Sequence, residues 1–249
     1  KFARSLDVEK VAMLFDGAFV GGGLGKYDIN DLRSVLSGST ATPAFSVATD
    51  YFGGQGSVVR KDLERQMQLL AALISDPGYR QEAVRLFKKP LPEFYRRLDA
   101  TPSSALTFGQ ARIMTGDNPR FVLPPLEKLE ATDFSELKAA LGERLTSGQI
   151  EIGLVGDLDE QAAIDVVARN FGALPKRKNR RDDYIAARES RFAESYGVHT
   201  LLHRGEANQL TWRRVWATTD DSDFRQEQTL SLLADIVQIR LIDELRENL

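Results

Sequence analysis

Only two histidines occur in the 249 residues, His199 and His203, and their H-x-x-x-H spacing is that of two zinc ligands one turn apart on a helix. A catalytic pair of this kind also needs a general-base glutamate. The positions where zincins or inverted zincins carry it hold Thr200 and Leu202. Gly197 and Gly205 bracket the pair in a short β-like segment, so both imidazoles fall on one strand face and no metal site is assigned to them. The glycines Gly21, Gly22, Gly23 and Gly25, before Lys26, could cradle a phosphate with backbone amides. The spacing refuses it. A Walker loop ending at Lys26 puts its first glycine on Val20 and its hydroxyl on Tyr27, and a dinucleotide fingerprint from Gly21 and Gly23 puts its third glycine on Lys26. A helix-terminating turn is the simpler reading.

The basic run Lys176, Arg177, Lys178, Arg180 and Arg181 has no interleaved aromatics for base stacking and meets Asp182 and Asp183 at once, which reads as a solvated linker. Asp157 with Asp159, and Asp220, Asp221 and Asp223, lack the glycine and glutamate of an EF-hand and read as turns and caps. Cysteine is absent, which removes disulfides, thiolate nucleophiles and cysteine metal sites together and leaves the redox compartment open. Thirty-three basic against 36 acidic residues give a net charge of -3, so no global field selects nucleic acid or an anionic membrane. No apolar stretch approaches the ~20 residues of a membrane helix. The chain opens on Lys1 without an initiator Met, and its last helix, Ala234 to Leu249, has neither cap nor exit turn. The expectation is a piece of a longer protein.

The elements that would position any site alternate between helix and strand. Val8 to Phe19 reads as a helix ended by the glycines, and Asp28 caps a second over Ile29 to Leu36. Thr42 to Tyr51 alternates as a half-buried strand does, with Phe52 to Val59 as its hairpin partner across Gly-Gly-Gln-Gly. Helices are predicted over Lys61 to Ser75, over Gln81 to Leu98 with a break at Pro90 and Pro92, over Ser103 to Met114, and over Asp133 to Leu145. Ile150 to Val155 is a buried-strand pattern, and after Gly156-Asp157 the cap Asp159 starts a helix with Ala162, Ala163, Val166, Val167 and Phe171 on its apolar face. A linker over residues 176–194 would separate a first domain, residues 1–175, from a second, residues 195–249. The second holds strands Gly197 to His203 and Asn208 to Thr218 and the helix from Phe224. The fold class is α+β, helices packed on a mixed or antiparallel sheet.

At the strand-turn-helix unit, IGLVGDLDEQAAIDVVARNFGALPKR resembles insulinase-type (pitrilysin and processing-peptidase) zinc metallopeptidases, in which a strand, Gly-Asp, a helix and F-G-x-L-P follow in this order. GLGKYDINDLRSVLSGS, the hairpin and DLERQMQLLAALISDPGY upstream, and HRGEANQLTWRRVWATTDDSD and LRENL downstream, are similar to the rest of one repeat and the start of the next. The resemblance implies two similar halves of two α/β domains each, closed around a peptide chamber. Catalysis belongs to the first half, where an H-x-x-E-H helix and a later Glu hold Zn²⁺, and the Glu inside the motif is the general base.

With Gly38-Ser39 as anchor, the H-x-x-E-H positions fall on Ile29, Leu32 and Arg33, so this chain resembles the second, non-catalytic half, truncated in its last domain. The resemblance then implies no catalytic residue and no metal here, and zinc in the parent enzyme held by the other half. Arg246 in LRENL matches a family Arg that grips the substrate backbone together with a Tyr seven residues on, beyond Leu249. Pairing with Asp243 or Glu247 on its own helix is the alternative. The implied partners are a peptide substrate and an N-terminal catalytic half, or a separate catalytic subunit if the chain is the inactive member of a two-chain complex. A peptide-binding scaffold unrelated to proteolysis is the third reading. The resemblance and the lack of cysteine favour a periplasmic or secreted setting.

Overall fold

A computed structural model describes residues 2–3, 15–48, 51–178, 192–194, 196–218 and 223–247. The helix expected over Val8 to Phe19 therefore falls largely outside the described residues. Its end, Phe15–Phe19, is one wide helical turn that tightens over Val20–Gly22 before Gly23, at φ 69°, breaks it. Helix α1 (Ile29–Val35) starts where Asp28 predicts. The Asp28 carboxylate accepts from the backbone N–H of Asn30 at 2.7 Å and of Asp31 at 2.9 Å, and the Asp31 side chain returns the bond to the Asp28 N–H. These N–H donors hold the Asp28 carboxyl below the usual carboxylate range.

Helix α2 (Leu63–Ser75) is the spine of the fold and buries Met67, Leu69, Ala71, Leu73 and Ile74. It also grips the chain beside it with polar side chains. Buried Asp62 accepts from Thr40 N at 2.7 Å and Thr40 Oγ1 at 2.9 Å, while Gln66 accepts from Thr42 N at 2.9 Å and donates to Thr42 O at 3.0 Å. Residues 40–42 are thus satisfied by a helix instead of a strand. The ladder along the strand expected over Thr42 to Tyr51 shrinks to β2 (Ser46–Val47), which pairs antiparallel with β3 (Tyr51–Gly53). β3 is the central strand of three, its other edge taken by β1 (Phe2–Ala3).

β2 thus pairs with β3 ahead of Gly-Gly-Gln-Gly, and those glycines do not form the hairpin's turn. Those glycines serve close approach: a Cβ on Gly54 would stand 2.8 Å from Ala44 O, and one on Gly56 2.7 Å from the Gln66 amide carbon. The break predicted at the prolines appears as two helices, α3 (Gln81–Lys88) and α4 (Leu91–Arg96). Helix α5 (Pro102–Thr115) has a Thr101 cap and ends at left-handed Gly116. Helix α6 (Leu126–Ala131) is unforeseen: six residues after Pro124-Pro125, anchored by fully buried Leu129. Asp133 caps α7 (Phe134–Ser147), and Asp159 caps α8 (Glu160–Phe171). The core joins Phe134, Leu137, Leu141 and Leu145 of α7 to Leu73, Ile74, Phe19, Phe45 and Phe52. Phe19, Tyr79 and Phe134 meet edge to face, and burial pushes the Tyr79 hydroxyl up to about 12.

Three segments predicted as strands form no ladder among the described residues: Ile150 to Val155, Gly197 to His203, and Asn208 to Thr218. A strand cannot satisfy its own backbone; it needs a neighbour. Residues of 192–194 and 196–211 contact α5 instead. Ala193 N donates to Met114 O at 2.7 Å, and Leu201 packs where a Gly109 Cβ would be. The Arg204 guanidinium donates from Nε and Nη2 to Asp99, at 2.9 and 2.6 Å to Oδ1, and holds that carboxyl below its usual range. The contacts divide the chain into two compact units, 1–211 and 212–249, so residues 196–211 group with the first. The second unit contains helix α9 (Phe224–Glu247), on which Leu232, Leu233, Ile236, Ile239, Ile242 and Leu245 are exposed.

Candidate functional site

Helix α1 carries the positions at which the family resemblance expects metal chemistry. Leu32 is 4% exposed and belongs to the buried set, whereas Arg33 is exposed and donates to the Asn30 side chain at 3.3 Å. An aliphatic residue turned into the core and a guanidinium cannot ligate Zn²⁺ or act as its general base, so these residues do not fit the metal. Of the residues of α1, Leu32 is the buried one.

The other sequence-level candidates resolve into local roles. His203 accepts the Gly205 N–H on Nδ1 at 3.1 Å, which leaves the proton on Nε2, 3.1 Å from the Gln209 carbonyl oxygen. Both ring nitrogens are engaged in closing a turn. Among the described residues no three His, Asp or Glu side chains gather closely enough to hold a metal ion. Arg246 lies in the last turn of α9, and its side chain falls outside what the structure describes.

The glycine loop turns out to be held by a residue that sequence reasoning missed. Arg80 donates from Nη1 to the carbonyls of Gly22 at 2.7 Å, Leu24 at 2.6 Å and Tyr27 at 3.2 Å, and from Nη2 to Gly25 at 3.0 Å. Gly25 N–H to Asp76 O and Gly78 N–H to Gly23 O, both 2.9 Å, lock the same loop to the turn that ends α2. A cation thus sits where the glycine spacing invited an anion, and the loop presents oxygens to it. The available signal was Arg80 itself, a planar five-donor side chain just past an Asp-Pro-Gly turn.

The segment before α8 and the helix itself line a concave feature. Segment 149–158 and α8 line a cleft of about 940 Å³, with Ile150, Ile152, Leu154, Ile164, Val167 and Phe171 along its walls. Its edge is open: Val155 is fully exposed, and a Cβ on Gly153 would meet nothing within 4 Å. At the Gln149 end stand Arg177 and Lys178, two residues read from sequence as linker. Arg177 caps α7, donating to Leu145 O at 2.6 Å and Gly148 O at 3.1 Å. The linker residues beyond Lys178, up to Arg191, lie outside the described set.

No protein-family model matches the sequence, and no curated protein aligns with it. Solved structures do. The inactive domain of an M16 peptidase from Pseudomonas fluorescens superposes with a TM-score of 0.55 at 16% identity, covering 73% of this chain and 46% of that one. The fold is that of the M16 peptidase domains. A protease from Helicobacter pylori matches at TM-score 0.51 and 13% identity over 71% of this chain and 43% of its own. The ferredoxin protease FusC, solved as a mutant in complex with Arabidopsis ferredoxin, matches at 0.52 and 13% over 69% and 18%. This chain therefore spans less than half the length of each of these structures. The α+β class is as expected, with a three-stranded antiparallel sheet among the described residues.

Proposed function

We propose that the chain is part of the non-catalytic half of a zinc metallopeptidase, contributing chamber wall and substrate grip while another half holds the metal. The observation that carries this reading is helix α1. It occupies the position of the H-x-x-E-H helix in the family register, yet it offers Ile29, buried Leu32 and Arg33. An M16-type fold with a packing helix at that place has no means to activate water there. The description of one structural neighbour as an inactive M16 domain is in keeping with it.

In this reading helix α9 belongs to a second domain of the same kind, whose start the sequence pattern puts near residue 195 and the contacts put at 212. Arg246 is the residue that would meet the peptide backbone, its guanidinium offering fixed donors to carbonyl oxygens. The partner is the catalytic half, in the same polypeptide or as a separate subunit. The experiment is metal and activity analysis of the dialysed chain, alone and with the catalytic half restored. The expected result is no stoichiometric zinc and no peptide hydrolysis alone, with both appearing in the restored enzyme. One tightly held zinc per isolated chain, lost in a His199→Ala, His203→Ala double variant, would overturn the reading.

A further inference from the structure

The carbonyls of Gly22, Leu24, Gly25 and Tyr27 come from one short loop, and all four accept from a single side chain, Arg80. Oxygens gathered in this way carry partial negative charges that repel one another, so the loop keeps its shape only around a cation. The Asp76 carboxylate packs against Gly25 and adds negative charge beside the ring. The carbonyl between them, that of Gly23, turns the other way and accepts from the Gly78 N–H at 2.9 Å.

The glycines make room for this arrangement. Gly23 stands at φ 69°, and a Cβ there would lie 2.5 Å from Tyr27 O. A Cβ on Gly78 would fall on Arg80 Nη1 and on Gly22 O together, so the space that a side chain would take at Gly78 belongs to the guanidinium. The oxygens also select by shape. Nη1 meets three of them and Nη2 the fourth, which gives the ring two donor centres held apart in a planar fork. A spherical ion or an ammonium offers one centre and cannot reach all four.

We propose that loop 22–27 is a guanidinium-binding cradle, filled in this chain by Arg80, and that its occupant fixes the start of α1. The loop runs from the helix break at Gly23 to the Asp28 cap, while Arg80 is the residue from which α3 begins. One side chain therefore ties the entry of α1 to the entry of α3. The cradle recognises the group and not the stem that carries it, so removal of the side chain leaves a site that takes up free guanidinium.

The test is a thermal melt of the full chain carrying Arg80→Ala, titrated with guanidinium chloride to ~20 mM, far below the molar range in which it denatures. Without the additive the variant should melt lower than wild type by on the order of 5 °C. Guanidinium should recover at least about half of that loss saturably, as a ligand of the folded state does. Equal sodium, potassium or ammonium chloride should not, and wild type, whose cradle is filled, should not respond. Gly78→Ala crowds the cradle itself, so it should melt lower and gain nothing from guanidinium. A second variant, Arg80→Gln, keeps most of the stem and loses the charged fork. Its Gly25 and Gly78 amides should exchange at least about tenfold faster than in wild type, while those of Leu137 to Leu145 keep their protection. An unchanged melt or no guanidinium response in Arg80→Ala would overturn the proposal, as would equal rescue by ammonium or sodium, rescue of Gly78→Ala, or unchanged exchange in Arg80→Gln. The peptidase reading rests on zinc and hydrolysis and is independent of this outcome.

Discussion

Helix α7 and the segment that follows it are separated by only a few residues and are similarly rich in aliphatic side chains, yet they end in opposite situations. Phe134, Leu137, Leu141 and Leu145 are each at most 2% exposed, whereas Val155 is fully exposed and Ile152 projects into an open cleft. The helix closes its backbone hydrogen bonds internally and needs a neighbour only for one face. The strand-patterned segment depends on a neighbour for its backbone as well. What folds here is thus the helical layer, self-sufficient element by element.

The widest contrast is in amide hydrogen exchange. Amides of Leu137 to Leu145 should exchange only through global opening, and those of Ile152 to Val155 near the rate of an unstructured chain. The separation should be at least about a thousandfold for a domain of ordinary stability. Comparable protection of both would erase the distinction. In thermal or urea melts, Leu141→Ala should lose roughly 2 to 5 kcal/mol, since the side chain is fully buried, while Val155→Ser should stay within about 0.5 kcal/mol. A large loss from Val155→Ser would mean that the segment is covered in solution.

Arg80→Ala should cost roughly 1 to 3 kcal/mol by leaving four loop carbonyls without their shared donor, and Arg80→Lys should restore only part, because an ammonium cannot fork across them. An unchanged melting temperature in Arg80→Ala would show that water satisfies the loop equally well.

The smallest effect is electrostatic. Asp62 is held below its ordinary value of 3.8, chiefly by the Thr40 N–H, so its contribution to stability is fully present above that value and is lost as pH falls through the lower folded value. Asp62→Asn should therefore lower Tm at neutral pH, with the gap to wild type closing below about pH 4. A gap independent of pH would assign the loss to packing alone.

Local chemistry was legible in the sequence. Asp28, Asp133 and Asp159 each cap the helix expected of them, because a cap is decided by a carboxylate and the two or three amides that follow it. What needed distant partners was not. Gly54 and Gly56 read as a turn because their reason, the closeness of Ala44 and Gln66, lies elsewhere in the fold. Arg177 read as linker although it caps α7, and Leu126–Ala131 is too short for its period to register beside two prolines. At the candidate site, the unsuitability of Ile29, Leu32 and Arg33 for zinc was readable from residue type alone. Arg80 was not, since four carbonyls leave no trace in a sequence.

The central claim, that this region grips peptide without holding the metal, is tested most directly by kcat/KM for peptide hydrolysis in the full-length protein carrying Arg246→Ala. Zinc content and Tm should be measured in parallel. A drop on the order of tenfold to a hundredfold is expected, the loss of a charged hydrogen bond of about 1.5 to 3 kcal/mol, with zinc and melting unchanged. Undiminished turnover, or a loss accounted for by missing zinc or unfolding, would contradict it.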